Sequence, residues 1–262
     1  MSRATASAEQ PLEPSSRVFR APNRRVPLVA RDIAREVALM AALFIAYQAV
    51  RWIAIGDVRE AFSNARVIIE WERDAGIYLE RPLQAWIMEN GALTRFLSAF
   101  YLFGLYPLMV FLAVLTFVAN RDLYRWARNA ILISWCIALV AYLRFPVAPP
   151  RFLVEQGFLD AGYEGARRLG LPWANQYAAM PSMHQGFAVI FGVVFWRLLA
   201  PWLALPLAVG LPLLMFVSIV ATANHFIVDA FVGTLVVAIG MLLARGLERR
   251  REHSTRSGLR QA

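Results

Sequence analysis

Residues 201–245 read PWLALPLAVGLPLLMFVSIVATANHFIVDAFVGTLVVAIGMLLAR, and this stretch decides the fold. Between Trp202 and Ala244 the only formally charged side chain is Asp229. A bilayer core takes roughly 20 apolar residues to cross as a helix, and this run holds two such lengths separated by the polar island Thr222-Ala223-Asn224. Two spans are therefore expected, at about 202–222 and 224–245.

Working outward, similar runs lie at about 36–56, 92–118, 127–145 and 184–200. The chain as a whole is 59% hydrophobic with a mean hydropathy of +0.49, which excludes an ordinary soluble domain that must clothe its core in polar surface. Residues 59–78 interleave Ala61, Ala65, Ile68, Ile69 and Trp71 with Arg59, Glu60, Arg66, Glu70, Glu72 and Arg73, the pattern of a helix lying in the membrane interface. A second amphipathic piece covers Pro82–Glu89, and Tyr101, Tyr106 and Pro107 predict a bend in the span at 92–118. The expected fold is an all-α integral membrane protein. It has six transmembrane helices and an amphipathic interfacial helix between the first two spans.

The net charge of +9 is carried entirely by Arg, 27 of them with no Lys, and its distribution speaks for a membrane rather than nucleic acid. With both termini inside, the inner segments hold 17 Arg against seven acids, and the outer ones ten Arg against 11 acids. That asymmetry is the positive-inside pattern. It predicts cytoplasmic termini, an extracytoplasmic loop at 146–183 and residence in the plasma membrane. Three regions follow: a basic, disordered tail over 1–35, a membrane domain over 36–245, and a basic cytoplasmic tail over 246–262. The start of the chain is too long and polar for a signal peptide, and the single Cys136 excludes an intramolecular disulfide.

Two of the three His stand at the outer ends of expected spans; His253 lies in the charged tail. Met180-Pro181-Ser182-Met183-His184-Gln185-Gly186 has good helix-start residues, so its free N–H groups and dipole suit a phosphate, with Ser182 and His184 beside it. Asn224-His225-Phe226-Ile227-Val228-Asp229 places an imidazole and a carboxylate four apart on one helix face. A carboxylate there can orient the imidazole as a nucleophile, and an acid within a membrane helix signals function. The third island, Arg144-Phe145-Pro146-Val147-Ala148-Pro149-Pro150-Arg151, holds two guanidinium groups able to fork onto phosphate oxygens. Taken singly, each Arg could be an interfacial anchor, Ser182 a cap, His184 a helix–helix contact and His225–Asp229 a structural pair. Three such islands at one membrane depth argue for a site.

The arrangement resembles the type 2 phosphatidic acid phosphatase superfamily, whose Pro-Ser-x-His and His-x-x-x-Asp motifs match Pro181–His184 and His225–Asp229 over a similar region spanning about 36–245. Two features depart from its ordinary phosphatases. The Lys-initiated first motif is missing, and Ile219 stands where an Arg usually precedes the His by six residues. Ala148-Pro149-Pro150-Arg151 and Thr222-Ala223-Asn224-His225 with Gly233 are instead similar to the inositol phosphorylceramide synthase-like branch and its bacterial members. The resemblance implies that His225 attacks phosphorus to form a phosphohistidine, with Asp229 orienting it. His184 would act as acid and then base, while Ser182, Arg151 and Arg144 hold phosphate oxygens. It implies no metal or cofactor, a lipid phosphate as substrate, and either water or a polyol such as inositol as acceptor. Two other readings remain at this stage. One is a metal-dependent hydrolase using His184, His225 and Asp229, which a chelator would inactivate; the other is a lipid-phosphate binder or transporter without turnover.

Overall fold

The computed structural model describes residues 30–53, 57–159 and 177–261. The expected disordered tail lies almost wholly outside these residues. Among the described residues the chain is helical and contains no strand beyond the isolated bridge between Val147 and Ala178. In chain order the helices are α1 (Ala30–Ile53), α2 (Val58–Asp74), α3 (Glu80–Met88), α4 (Gly91–Ala99), α5 (Leu105–Ala119), α6 (Arg121–Arg144), α7 (Met183–Leu198), α8 (Pro201–Ala221) and α9 (Ile227–Gln261).

Local chemistry marks the boundaries. Asn90 accepts from the amides of Ala92 and Leu93 to open α4, Asn120 caps α6 by accepting from Leu123, and Pro201 starts α8 where its missing N–H costs nothing. Between α4 and α5 the residues Phe100–Gly104 form one π-helical turn within a continuous helix. Pro107 explains it: without an N–H it leaves the carbonyl four residues earlier without its usual partner, and the ladder widens locally. The expected break in this span is a bulge.

Among the described residues four helices are long and apolar enough to cross a membrane: Gly91–Ala119, Arg121–Arg144, Pro201–Ala221 and Ile227–Arg251; α7 is apolar but shorter. Their outer faces expose Phe111, Val114, Val140, Leu205, Leu213, Phe231 and Leu242, a surface that only lipid tails or another protein would cover. α7 packs chiefly on α8, and α9 on α6 and α7, burying Trp126, Trp135, Ile190, Phe191, Met215 and Val237. Arg128 binds Glu36 through Nη1 at 2.6–2.7 Å, tying α6 to α1.

α2 differs from the sequence expectation in one respect. Its apolar stripe runs Ala61, Ala65, Ile68, Glu72, so Glu72, expected on the solvated face, is fully buried. The 4-3-4 spacing of that stripe is the signal that would have placed it inside. In α3 the same spacing buries Glu80, Gln84 and Ile87.

Candidate active site

α7 and α9 begin side by side, and small residues allow it. A Cβ on Gly233 would fall well inside contact distance of the Ser182 carbonyl oxygen and 2.9 Å from its carbon. One on Gly186 would come within 2.6 Å of Val237 Cγ1. The two glycines let the helix backbones touch, as small residues do where membrane helices cross closely. The contact is also bonded: the Ser182 amide donates to the Asp229 carbonyl at 2.9 Å, and the Tyr142 hydroxyl on α6 donates to the Pro181 carbonyl at 2.9 Å. Ser182 is fully buried and caps α7, accepting from the Gln185 amide at 3.4 Å.

The turn between α8 and α9 carries the second histidine. Thr222 donates back to the Ser218 carbonyl, Ala223 takes a left-handed conformation (φ 53°), and the amides of Asn224 and His225 both donate to the Ile219 carbonyl. A left-handed alanine is strained by roughly 1 kcal/mol, and the surrounding bonds hold it: its carbonyl accepts from the Arg151 amide at 2.9 Å. Arg151 is buried, and its Nη1 donates to Asn224 Oδ1.

His225 is buried, and its Nδ1 lies 2.8 Å from the Ala179 carbonyl and 3.4 Å from Asp229 Oδ2. A carbonyl only accepts, so Nδ1 carries a proton, and in the neutral ring the lone pair is then on Nε2. Asp229 Oδ2 meanwhile accepts from the Phe226 amide at 2.9 Å. The orienting group nearest the imidazole is thus a backbone carbonyl, which side-chain reasoning could not find, with Asp229 second. His184, half-buried in the first turn of α7, faces His225 with 6.1 Å between ring centroids.

The structure therefore gathers Ser182, His184, His225 and Asp229, with Arg151 attached through Asn224 and Ala223. Arg144 ends α6 as an exposed side chain. One further residue joins them. Tyr101, on the π-helical turn, sets its ring 4.4 Å from His184 and 6.2 Å from His225, centroid to centroid. A π-helical turn often marks a functional position; Pro107 was the sequence signal for it.

The sequence pattern of the PAP2 superfamily matches residues 66–243, which include both histidine motifs. The chain belongs to the PAP2 superfamily. No curated protein matches the chain, and no solved structure does either. PAP2 proteins are typically phosphatases or phosphotransferases acting on lipid phosphates, and the apolar helices of this chain are those of a multi-pass membrane protein.

Tyr101 packs on the His184 imidazole. Where His184 transfers the proton, Tyr101→Ala is expected to lower kcat by about tenfold, since each aromatic contact is worth roughly 1 kcal/mol and the ring touches both imidazoles. Steady-state kinetics on the variant checks this.

Proposed function

We propose that this PAP2 protein transfers a phosphoryl or phospho-headgroup from a lipid phosphate or phosphodiester through a phosphohistidine at His225, in the manner of the inositolphosphotransferase branch. The observation that carries the reading is the pair of facing imidazoles, with the proton of His225 held on Nδ1 by the Ala179 carbonyl and Nε2 left as nucleophile. In this reading Nε2 attacks phosphorus while His184 protonates the departing oxygen. His184 then takes a proton from the acceptor hydroxyl as that oxygen attacks the phosphohistidine. Ser182, Arg151 and Arg144 offset the charge on the phosphoryl oxygens. Arg144 would need to turn from its exposed position to reach them.

Six spans complete the proposed topology, α1 and α7 crossing beside the four longer helices. Both termini lie in the cytoplasm, and the site faces the extracytoplasmic side of the plasma membrane, as the Arg distribution supports. Substrate then enters from the outer leaflet. Membrane lipids surround the bundle, and a polyol such as inositol is the acceptor. Hydrolysis of a lipid phosphate or polyprenyl diphosphate is the alternative outcome of the same first step, with water in place of the alcohol.

Purified protein incubated with radiolabelled phospholipids, with and without inositol, tests both. An inositol-dependent labelled product supports the transferase; free phosphate in both samples supports the phosphatase. Lipid binding without any product would sink the catalytic reading.

A further inference from the structure

The first turn of α9 is occupied by carboxylates from three elements. Asp229 Oδ2 accepts from the Phe226 amide at 2.9 Å, Glu80 Oε1 on α3 from Ile227 at 2.8 Å, and Glu72 Oε1 on α2 from Val228 at 2.8 Å. All three side chains are fully buried. The helix terminus that follows the nucleophile is therefore already filled by protein acids. That leaves the start of α7, with Ser182 and His184, as the helix end open to a phosphate.

Three adjacent buried carboxylates cannot all be ionised at modest cost. The second oxygens, Glu72 Oε2 and Glu80 Oε2, are buried without a donor among the described residues, while Oε1 of each holds one of two successive amides of α9, so one proton between these neighbouring carboxyls serves both. Burial, and then the neighbouring Glu80 carboxyl, push Glu72 up to about 9 from its ordinary value. Asp229 on α9 is the other acid that raises it, and the Val228 amide opposes the shift. Two cations stand by the neighbouring Tyr78: the Arg73 guanidinium sits 4.9 Å from its ring, and Arg81 also acts on it.

We propose that Glu72 and Glu80 form a proton-sharing carboxyl pair that clamps the start of α9 to α2 and α3, making both acids positioning residues for His225 and Asp229. The pair touches no substrate. It acts by holding the first turn of α9, and ionisation of its shared proton sets two carboxylates against each other beside Asp229, loosening that turn. The role in turnover rests on the function proposed above; the clamp does not.

The sign of the pH effect follows from proton counting. Between about 4.5 and about 9 the unfolded chain has lost the Glu72 proton and the native chain has kept it. The native state binds more protons in that window, so its stability from this group falls as pH rises and is gone above about 9. Glu72→Gln keeps an acceptor for Val228 and a donor for Glu80 but has no proton to lose.

The test is thermal unfolding of the full-length protein in detergent from about pH 6 to about pH 10, followed by tryptophan fluorescence. The wild-type midpoint should fall with rising pH, and E72Q should flatten that fall, its advantage growing with pH. E80Q, which removes the other acid of the pair, should flatten it as well. In turnover assays wild-type kcat should drop as pH passes about 9 with KM less affected, whereas E72Q keeps its rate. E72A, which leaves the Val228 amide unpaired, should lose about tenfold or more in kcat. Parallel pH profiles for wild type and E72Q would overturn the proposal. So would a failure of both E72Q and E80Q to fold, since that would mean both acids must be ionised. Because unfolding needs no substrate, a protein without phosphoryl-transfer activity would leave the clamp's test intact.

Discussion

His225→Asn is expected to lower turnover by about 10⁴-fold or more while the protein remains folded, the scale seen when a covalent nucleophile is removed. Asparagine suits this test better than alanine. Its side-chain amide reaches roughly as far as Nδ1 and can still donate to the Ala179 carbonyl and face Asp229 Oδ2, so the turn between α8 and α9 keeps its bonds. Only Nε2 is lost. The measurement is release or transfer of radiolabelled phosphate by purified protein, together with trapping of an acid-labile phosphoenzyme. Wild type should accumulate label on the protein and the variant none. Wild-type turnover in His225→Asn would sink the nucleophilic role and with it the phosphohistidine.

Gly233→Ala is the second large effect, and it arises from packing. The added methyl would enter the space of the Ser182 carbonyl, a backbone atom in the first turn of α7 that cannot swing aside as a side chain could. α7 and α9 must then separate by a substantial part of an ångström. Misplacement of that order in a reacting pair costs about 10²-fold in rate, and overpacking in a tight core costs about 1–3 kcal/mol in stability. The expected result is a protein that still folds in detergent at lower temperature, melts earlier and turns over about a hundredfold more slowly. Gly210, whose Cβ would meet nothing, is the control: Gly210→Ala should be neutral or slightly stabilising because alanine is the better helix former. Equal kinetics for Gly233→Ala and wild type would mean that the α7–α9 contact does not set the distance between the histidines.

Much of the site was legible in the linear chain because its members announce themselves chemically. Ser182, His184, His225 and Asp229 are polar groups set in apolar runs, and the structure gathers them at the adjoining starts of α7 and α9. Arg151 was legible for the same reason, and its backbone amide is tied to Ala223. Tyr101 was not, since one tyrosine in an aromatic-rich span carries no pattern, and only the widened turn next to Pro107 presents it to the histidines. The Ala179 carbonyl could not be read at all: every residue has one, and its use depends on where the loop passes.

The sequence by itself determined that this is a helical membrane protein with histidine motifs at two helix starts. Apolar run length and the isolation of polar groups within those runs are one-dimensional properties, and the bilayer turns them directly into constraints. Only the tertiary structure decided what surrounds those groups. Glu72 belongs to an amphipathic segment whose charges read as solvated, and Glu80 falls in the short gap before the next one. Both are buried because α2 and α3 fold onto the start of α9, where amides without a helical partner donate to them. Whether an acid faces water or caps another helix depends on which elements meet.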